Sequence, residues 1–256
     1  MTRRRWIADE VHGNTALLTG EHARHLSRVL RARVGQEFDV ATADAVRRGK
    51  IVAITDQCVE FVLEEKVAAE PCARLTLVLS IFKFDRMEWA IEKCAELGVA
   101  RIIPVVARRT DAHLAAAAAK RQERWLRIAR QAAEQSRRIS PPEIAATIKL
   151  RELGRAETAA SLIEGVGRGA AAGSSVLKIV LAESQTTTLL RDAVGPSAAE
   201  AVLAIGPEGG WTEDELRWFR ESGWLTASLG PTILRAETVA IVATALALDA
   251  MRARTA

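Results

Sequence analysis

The 256-residue sequence has no tyrosine, few other aromatic residues and only three cysteines. Cys58, Cys72 and Cys94 form no C-x-x-C pair and have no metal-ligand spacing with the four histidines. No metal site is therefore expected, and the cysteines fit a reducing compartment in which each thiol is a small buried apolar group. With six tryptophans and five phenylalanines, the chain also offers few platforms for stacking on a base.

The sequence also lacks a long apolar run. No stretch approaches the roughly 18 uninterrupted apolar residues of a membrane-spanning helix. Arg3, Arg4 and Arg5 lie near the N-terminus, but the apolar segment of a secretory signal does not follow them. We therefore expect a soluble, cytoplasmic protein with no membrane partner. Its hydrophobic fraction of 49% suffices for a packed core in one large domain or two smaller ones.

Positive charge is concentrated in two regions of a chain whose formal net charge is only +4. Residues 101–138 contain ten Lys or Arg and three Asp or Glu, and residues 1–33 contain seven Arg and three acids. Two separate basic regions are typical of a surface that contacts a polyanion such as nucleic acid. A solvated helix face explains the region 101–138 equally well when it is considered alone.

Residues 1–70 have the pattern of short strands separated by turns. β-branched or partly alternating segments at Glu37–Thr42, Lys50–Thr55 and Val59–Leu63 predict three of these strands. Apolar residues on one face predict a short helix at Glu21–Leu30. A linker begins at Pro71, so we expect a small β domain over residues 1–72 and a second domain over residues 73–256.

After residue 73 the pattern changes to alternating strands and helices. Strands are predicted at Leu75–Ile81, Arg101–Val106 (with Pro104 at an irregular end), Lys178–Ala182 and Ala201–Ile205. Four helices are predicted. The first is capped by Asp85 and ends at Gly98, and the second covers residues 112–138. The third begins at a capping box of Thr212 with Glu215 and runs to about Glu221, where Gly223 stops it, and the fourth covers Ala236–Met251. An exposed connection is expected around Gly165–Ser175. This alternation predicts an α/β fold with a mostly parallel sheet, whose ligands bind beyond the carboxyl ends of the strands.

The loop after the last predicted strand has the sequence I-G-P-E-G-G-W and contains Gly206, Gly209 and Gly210. It matches neither a P-loop nor a dinucleotide fingerprint. Because Glu208 lies inside the loop, a neutral or cationic ligand fits better than an anionic one. An ordinary strand-to-helix turn accounts for the glycines as well.

A second glycine-proline loop, Ser228–Ala240, leads into the last predicted helix. Glu237 and Thr238 suit a helix N-terminus as capping and dipole partners. Arg235 lies at the end of the helix that disfavours positive charge, so a functional contact is the simpler explanation for this residue. The helix itself is apolar on nearly every side and must be buried in a core or against a second subunit.

Together, G-P-E-G-G-W and L-G-P-T-I-L-R-A-E-T closely resemble the RsmE family of 16S ribosomal RNA uridine N3-methyltransferases, which belong to the SPOUT, or trefoil-knot, class. The resemblance extends over nearly the whole chain. It includes K-F-D-R-M-E-W from Lys83, E-Q-S-R-R from Glu134, and His25 with V-L-R from Val29. Three positions depart from the family pattern, namely Phe84, Arg137 and Ala236, and Ala236 lacks the hydroxyl that the family places there.

The resemblance implies a PUA-like β-barrel followed by a knotted sheet with helices on both faces, S-adenosylmethionine as the cofactor, ribosomal RNA of the small subunit as the partner, and a homodimer formed through the C-terminal helix. The implied cofactor contacts are Leu203, Gly206, Glu208, Gly209, Gly210, Leu229, Gly230, Leu234, Glu237 and Thr238. The implied RNA contacts are Arg28, Arg31, Lys83, Arg86 and Lys93.

Methylation at uracil N3 requires removal of the N3 proton and stabilisation of the negative charge that develops on the two neighbouring carbonyls. A guanidinium suits the second task. Arg138 is the first candidate and Arg235 the second, while Glu134 either accepts the proton or holds Arg138. Two other functions stay open: ribose 2′-O-methylation, and a non-catalytic role in ribosome assembly, which the loss of a hydroxyl at Ala236 slightly favours. A nucleotide-phosphate enzyme ranks last because no P-loop lysine is present.

Overall fold

The computed structural model describes residues 5–42, 45–67, 74–136, 138–154, 176–184, 187–194, 198 and 200–252. The chain forms two compact units, residues 1–71 with 133–141, and residues 72–132 with 142–256. The predicted boundary at 72–73, Arg137 and the predicted connection Gly165–Ser175 lie outside the described residues. The inclusion of 133–141 in the first unit differs from the two sequential domains that the sequence predicts.

The first unit contains a six-stranded sheet in the order β1-β4-β5-β6-β3-β2. Its strands are β1 (Arg5–Ile7), β2 (Glu10–His12), β3 (Thr15–Thr19), β4 (Glu37–Ala41), β5 (Val46–Ile54) and β6 (Cys58–Val67). β1 pairs with β4 in parallel, and the other pairs are antiparallel. The predicted helix forms as α1 (Gly20–Arg24), which continues as a π-helical turn over His25–Val29.

Alternation along the strands of this sheet places one set of side chains in a core. Leu18, Ile51 and Phe61 are fully buried there together with Leu26 of the π-helical turn. Gly49 lies where β4, β5 and β6 pack closely, because a Cβ at this position would come within 2.5 Å of Val40 Cγ2. All three strands predicted in this unit are confirmed, with ends that differ by a few residues.

The second unit contains a seven-stranded sheet in which every pair is parallel. Its strands are β7 (Arg74–Ser80), β8 (Arg101–Val106), β9 (Glu143–Ile144), β10 (Ile148–Lys149), β11 (Leu177–Leu181), β12 (Glu200–Ile205) and β13 (Leu225–Ala227). The order is β10-β8-β7-β12-β11-β13, and β9 also pairs with β8. The predicted α/β class with a mostly parallel sheet is confirmed.

Helices cover both faces of this sheet. They are α2 (Phe84–Leu97), α3 (Ala112–Ala117), α4 (Gln122–Gln135), α5 (Leu190–Ala193), α6 (Glu213–Glu221) and α7 (Ala236–Arg252). Leu77 and Leu79 of β7 lie in the same core cluster as side chains of α2 and α7, whereas Val78 lies in a cluster with Phe219 of α6. Neighbouring residues of one strand therefore point to opposite faces, and both faces are buried. No helix in the described part of the chain is long and apolar enough to cross a membrane.

Several local predictions for the second unit are confirmed, and three are wrong. Gly98 ends α2 with a φ of 115°, and Thr212 with Glu215 forms the capping box of α6. Asp85 lies inside α2 instead of capping it, because the helix begins at Phe84 and has Lys83 at its N-cap. Pro104 lies within β8 and pairs with Leu79, so the strand continues through it. The helix predicted over 112–138 is interrupted by a 3₁₀ turn at Ala118–Arg121 and ends at Gln135.

Candidate functional site

The ends of three neighbouring strands in the second unit surround a pocket of about 760 Å³. The lining comes mainly from residues 181–184 after β11, 205–211 after β12 and 228–236 after β13. Because parallel strands end at the same edge of the sheet, these three segments lie side by side. The pocket is therefore at the edge at which α/β sheets bind their ligands.

The loop after β12 is held in place by hydrogen bonds from two side chains. Trp211 Nε1 donates to the carbonyl oxygen of Leu181 at 3.0 Å. The Arg109 guanidinium donates to the carbonyl oxygens of Gly209 at 2.8 Å and Trp211 at 3.2 Å. These bonds leave the loop little freedom to move, so its backbone presents a preformed wall to the pocket.

Two glycines give the pocket a shape that other residues would not allow. Gly210 has a φ of +67°, and a Cβ at this position would lie 3.1 Å from Glu183 Oε1. Gly230, in the loop after β13, has a φ of +123°. Left-handed backbone of this kind favours glycine strongly, and at Gly210 the missing side chain also leaves room for a carboxylate.

Both signs of charge are present in the pocket, and its acids lie beside the glycine-rich loop. Glu183, Glu208 and Glu213 contribute carboxylates to the lining. The Arg86 guanidinium lies 3.6 Å from a carboxylate oxygen of Glu208 and 3.6 Å from one of Glu237, whose residue is only 5% exposed. Through these two carboxylates, the single cation of Arg86 joins the start of α7 to the loop after β12.

The family model of the RNA methyltransferase domain matches residues 68–248 of the chain. The chain belongs to this RNA methyltransferase family. The predicted family resemblance is thereby confirmed, and the match includes all three segments that form the pocket.

Individual members of the family are similar over most of their length. The ribosomal RNA small subunit methyltransferase E of Synechocystis is 33% identical, with 90% of this chain and 72% of that protein covered. The protein of the same name from Mycobacterium tuberculosis is 31% identical, with 90% and 85% covered. A crystal structure of the Neisseria gonorrhoeae methyltransferase E bound to S-adenosyl methionine is 28% identical, with a TM-score of 0.78 and coverage of 95% and 96%.

Six of the ten residues predicted to contact a cofactor line the pocket of this methyltransferase fold. They are Gly206, Glu208, Gly210, Leu229, Gly230 and Leu234. Gly209 lies in the same loop, and Glu237 and Thr238 lie in the first turn of α7 without forming part of the lining. Leu203 differs from the prediction because its side chain is fully buried in the core of the sheet, in the middle of β12.

The three predicted catalytic residues are divided between the two units. Arg235 lines the pocket, and its side chain is exposed. Glu134 and Arg138 belong to the first unit, where Glu134 Oε1 lies 3.2 Å from Nε2 of His22. The ring of His22 also contacts Asp9, and hydrogen bonds to Asp9 and Glu134 raise the pKa of this histidine to about 9 against the opposing effect of burial.

The predicted RNA contacts have different environments. Lys83 and Arg86 line the pocket. Arg28 donates through Nε to Asp56 at 3.1 Å, on a surface where both side chains are more than half exposed. Lys93 contacts Glu92 at 2.7 Å and Glu96 at 2.8 Å. Arg31 has a φ of 50°, which is uncommon for a residue with a side chain.

Sequence reasoning missed Glu183 and His22. Glu183 follows the strand predicted at Lys178–Ala182, so the rule that ligands bind beyond the carboxyl ends of strands could have identified it. His22 has no such signal. Its partner Glu134 lies more than a hundred positions away, and only the fold brings the two side chains together.

Proposed function

We propose that this chain transfers the methyl group of S-adenosylmethionine to N3 of a uridine in 16S ribosomal RNA. The observation that carries the proposal is the glycine-lined pocket at the ends of β11, β12 and β13. The family match and the small-subunit ribosomal RNA methyltransferases among its relatives support this substrate class. Because bacterial ribosomes are assembled in the cytoplasm, the reaction is assigned to that compartment.

The residues of the pocket fit S-adenosylmethionine. Its volume of about 760 Å³ lies within the roughly 300–1,000 Å³ of small-molecule sites. Leu229, Leu234 and Val239 supply apolar surface for an adenine ring, and Glu183 and Glu208 supply carboxylates for the cationic groups of the ligand. Ser228 is buried in the lining, and its hydroxyl has no hydrogen-bond partner among the described residues, as expected where a ligand supplies one.

When bound, S-adenosylmethionine supplies a methyl group on a positively charged sulfur. The chain itself must orient the uracil, remove the N3 proton and stabilise the charge that develops on O2 and O4. Arg138 and Arg235 are assigned to the carbonyl oxygens, because a guanidinium presents several donors in a fixed plane. N3 lies on the Watson–Crick edge, so the target uridine must be unpaired or flipped out of its stack.

The finer features of the fold are also part of this proposal. The first unit serves as a PUA-like barrel that contacts RNA phosphates through Arg28 and Arg31, with Lys83, Arg86 and Lys93 adding contacts. The second unit is a SPOUT domain with a C-terminal trefoil knot. Gly210 supports the knot, since threaded loops require segments that approach closely and a Cβ at this position would lie 3.1 Å from Glu183 Oε1 in the segment after β11.

The same proposal includes a homodimer formed through α7. This helix is apolar along nearly its whole length, and Leu246 keeps 39% of its surface exposed. The variant Leu246→Asp is expected to become monomeric in light scattering. Leu225→Asp, at an equally apolar exposed position of β13, is the control and should leave the mass of the assembly unchanged.

The decisive experiment is transfer of a tritiated methyl group to small ribosomal subunits from a strain that lacks the enzyme, followed by nucleoside analysis. We expect 3-methyluridine as the product. A 2′-O-methyl nucleoside would replace the proposal by ribose methylation. Absence of both transfer and calorimetric binding of S-adenosylmethionine would indicate a non-catalytic assembly factor.

The roles of the two arginines are tested with the same assay. Arg138→Ala and Arg235→Ala should each lower the rate by about a hundredfold or more, the loss typical of a donor to a developing oxyanion. Arg217→Ala removes an exposed arginine of α6 that pairs with Asp214, and this control should retain full activity. Full methylation by Arg138→Ala would remove this residue from the mechanism.

A further inference from the structure

In the first unit, the imidazole of His22 lies between two carboxylates. Nδ1 is 3.2 Å from Asp9 Oδ2, and Nε2 is 3.2 Å from Glu134 Oε1. The side chain of His22 is 22% exposed and each of the two acids is 15% exposed, so all three groups are largely removed from water. Asp9 also accepts the backbone N–H of Thr19 at 2.8 Å, which holds this carboxylate beside β3.

This arrangement keeps the ring protonated at neutral pH. Hydrogen bonds to Asp9 and then to Glu134 raise the pKa of His22 from 6.5 to about 9. Among the described residues these two acids are the charged groups that face the ring, and the indole of Trp6 packs edge-on against it. Both ring nitrogens then act as donors, so one cation is shared by two acids that would otherwise repel each other.

The contact to Glu134 acts on the segment that carries Arg138. The backbone N–H of Arg138 donates to the carbonyl oxygen of Ala133 at 2.9 Å, which closes the turn after α4. Ala133 and Ile139 belong to an apolar cluster with Ile7 of β1. Residues 133–141 are therefore attached to the first unit by two kinds of contact, an apolar one and the ion pair of His22.

We propose that His22 is a positioning residue for methyl transfer, because its protonated ring holds Glu134 and thereby the turn from which Arg138 extends. The inference rests on the proposed function, in which Arg138 binds the target base. In this inference Glu134 is an anchor and not the proton acceptor, because its carboxylate is already paired with the imidazolium of His22. A neutral side chain at position 22 would remove the positive charge that Asp9 and Glu134 share.

The first test compares His22→Gln with wild type in single-turnover methylation of small subunits. We expect a loss of tenfold to about a hundredfold in rate, as when a catalytic group is displaced by about 1 Å. The dissociation constant of S-adenosylmethionine should stay unchanged, because every residue that lines the pocket belongs to the second unit. His12→Gln is the matched control: the side chain of this exposed histidine of the same unit lies 3.3 Å from Glu10, and its removal should change neither quantity.

A charge-specific test uses Glu134→Gln and the double variant His22→Gln/Glu134→Gln. If the ion pair is what matters, each single variant loses a similar factor and the double variant loses no more than either. If Glu134 is instead the proton acceptor, Glu134→Gln will lose far more activity than His22→Gln, and the anchor role is overturned.

The wild-type protein offers a measurement that needs no variant, since NMR should show His22 titrating near pH 9. Titration near 6.5 would overturn the proposal, even if His22→Gln failed to fold.

Failure of this inference can be told apart from failure of the proposed function. Arg138→Ala, assayed beside these variants, reports on the function alone. An inactive Arg138→Ala with a fully active His22→Gln would refute the positioning role and leave the function intact. A fully active Arg138→Ala would refute the assigned role of Arg138, and with it the reason for His22 to affect the rate.

Discussion

The indole of Trp211 donates a hydrogen bond of 3.0 Å to the carbonyl oxygen of Leu181, and this bond joins the loop after β12 to the end of β11. Both residues are less than 8% exposed. The two loops meet at the pocket, so the bond helps to keep the pocket open in the shape that a ligand requires. Gly206 is part of the same contact, because a Cβ there would lie 3.3 Å from the indole.

Trp211→Phe should therefore weaken S-adenosylmethionine binding. The substitution removes the indole donor to the buried carbonyl of Leu181, which costs about 1–3 kcal/mol. Because this bond joins the two loops, part of the lost free energy should appear as weaker ligand binding. We expect the dissociation constant measured by calorimetry to rise about three- to tenfold. Trp89→Phe, at a tryptophan of α2 that is 48% exposed, is the control and should bind normally. Unchanged affinity in Trp211→Phe would show that the loop holds its shape without this bond.

Local signals in the sequence predicted much of this fold because they act between near neighbours. Thr212 with Glu215 and the glycine at position 98 mark helix ends through contacts within one turn. The break in the predicted helix 112–138 had no such signal, since alanine and arginine suit both the α-helix and the 3₁₀ turn at Ala118–Arg121. Residues 133–141 join the first unit through contacts of Ala133 and Ile139 with distant strands, and a local pattern contains no information about these.

The candidate site could be predicted to a similar extent. The two glycine-proline loops identified most of the pocket, because close approach of backbone and left-handed conformation both leave glycines in the sequence. Leu203 was included through the family resemblance, and it lies buried in the predicted strand, outside the lining of the pocket. Alternation along a buried parallel strand does not reveal which of its apolar side chains reaches the open edge.

Gly210→Ala should separate backbone strain from loss of ligand space. At a φ of +67° an alanine costs about 1–2 kcal/mol, and its Cβ would lie 3.1 Å from a carboxylate oxygen of Glu183. We expect a lower melting temperature together with weaker binding of S-adenosylmethionine, because the carboxylate must move within the pocket. Calorimetry and thermal denaturation measure the two effects separately.

Gly223→Ala is the matched control for this substitution. Gly223 has a φ of +77°, lies outside the lining of the pocket and has no atom within 4 Å of an added Cβ. It should lose a similar amount of stability and bind the cofactor normally. Equal losses of affinity in the two variants would mean that Gly210 acts through global stability alone.

The start of α6 allows a prediction about stability. Thr212 Oγ1 accepts the N–H of Glu215 at 3.3 Å, and Glu215 Oε2 accepts the N–H of Thr212 at 2.8 Å. Glu215 Oε1 also accepts the N–H of Arg108 at 2.7 Å, so this carboxylate ties the loop after β8 to the helix. Thr212→Ala should cost about 1 kcal/mol and Glu215→Ala about 2 kcal/mol.

These costs correspond to decreases in melting temperature of about 2–4 °C and about 4–8 °C. Asp214→Ala, at an exposed position of the same turn, is the control and should change the melting temperature little. The critical result is which of the two variants, Thr212→Ala or Glu215→Ala, has the lower melting temperature. A larger loss in Thr212→Ala than in Glu215→Ala would contradict the bridging role of the glutamate.

The ionisation of His22 predicts how stability depends on pH. The pKa of this histidine is about 9 in the folded chain and about 6.5 in the unfolded chain, so the folded state binds the proton more tightly. The resulting stabilisation is complete below pH 6.5, declines as the unfolded state loses its proton, and is gone above pH 9. The melting temperature of wild type should therefore fall relative to that of His22→Gln as the pH rises from 6.5 to 9. Melting curves of the two proteins in the same series of buffers measure this difference, and parallel curves across the interval would show that the folded state does not retain the proton.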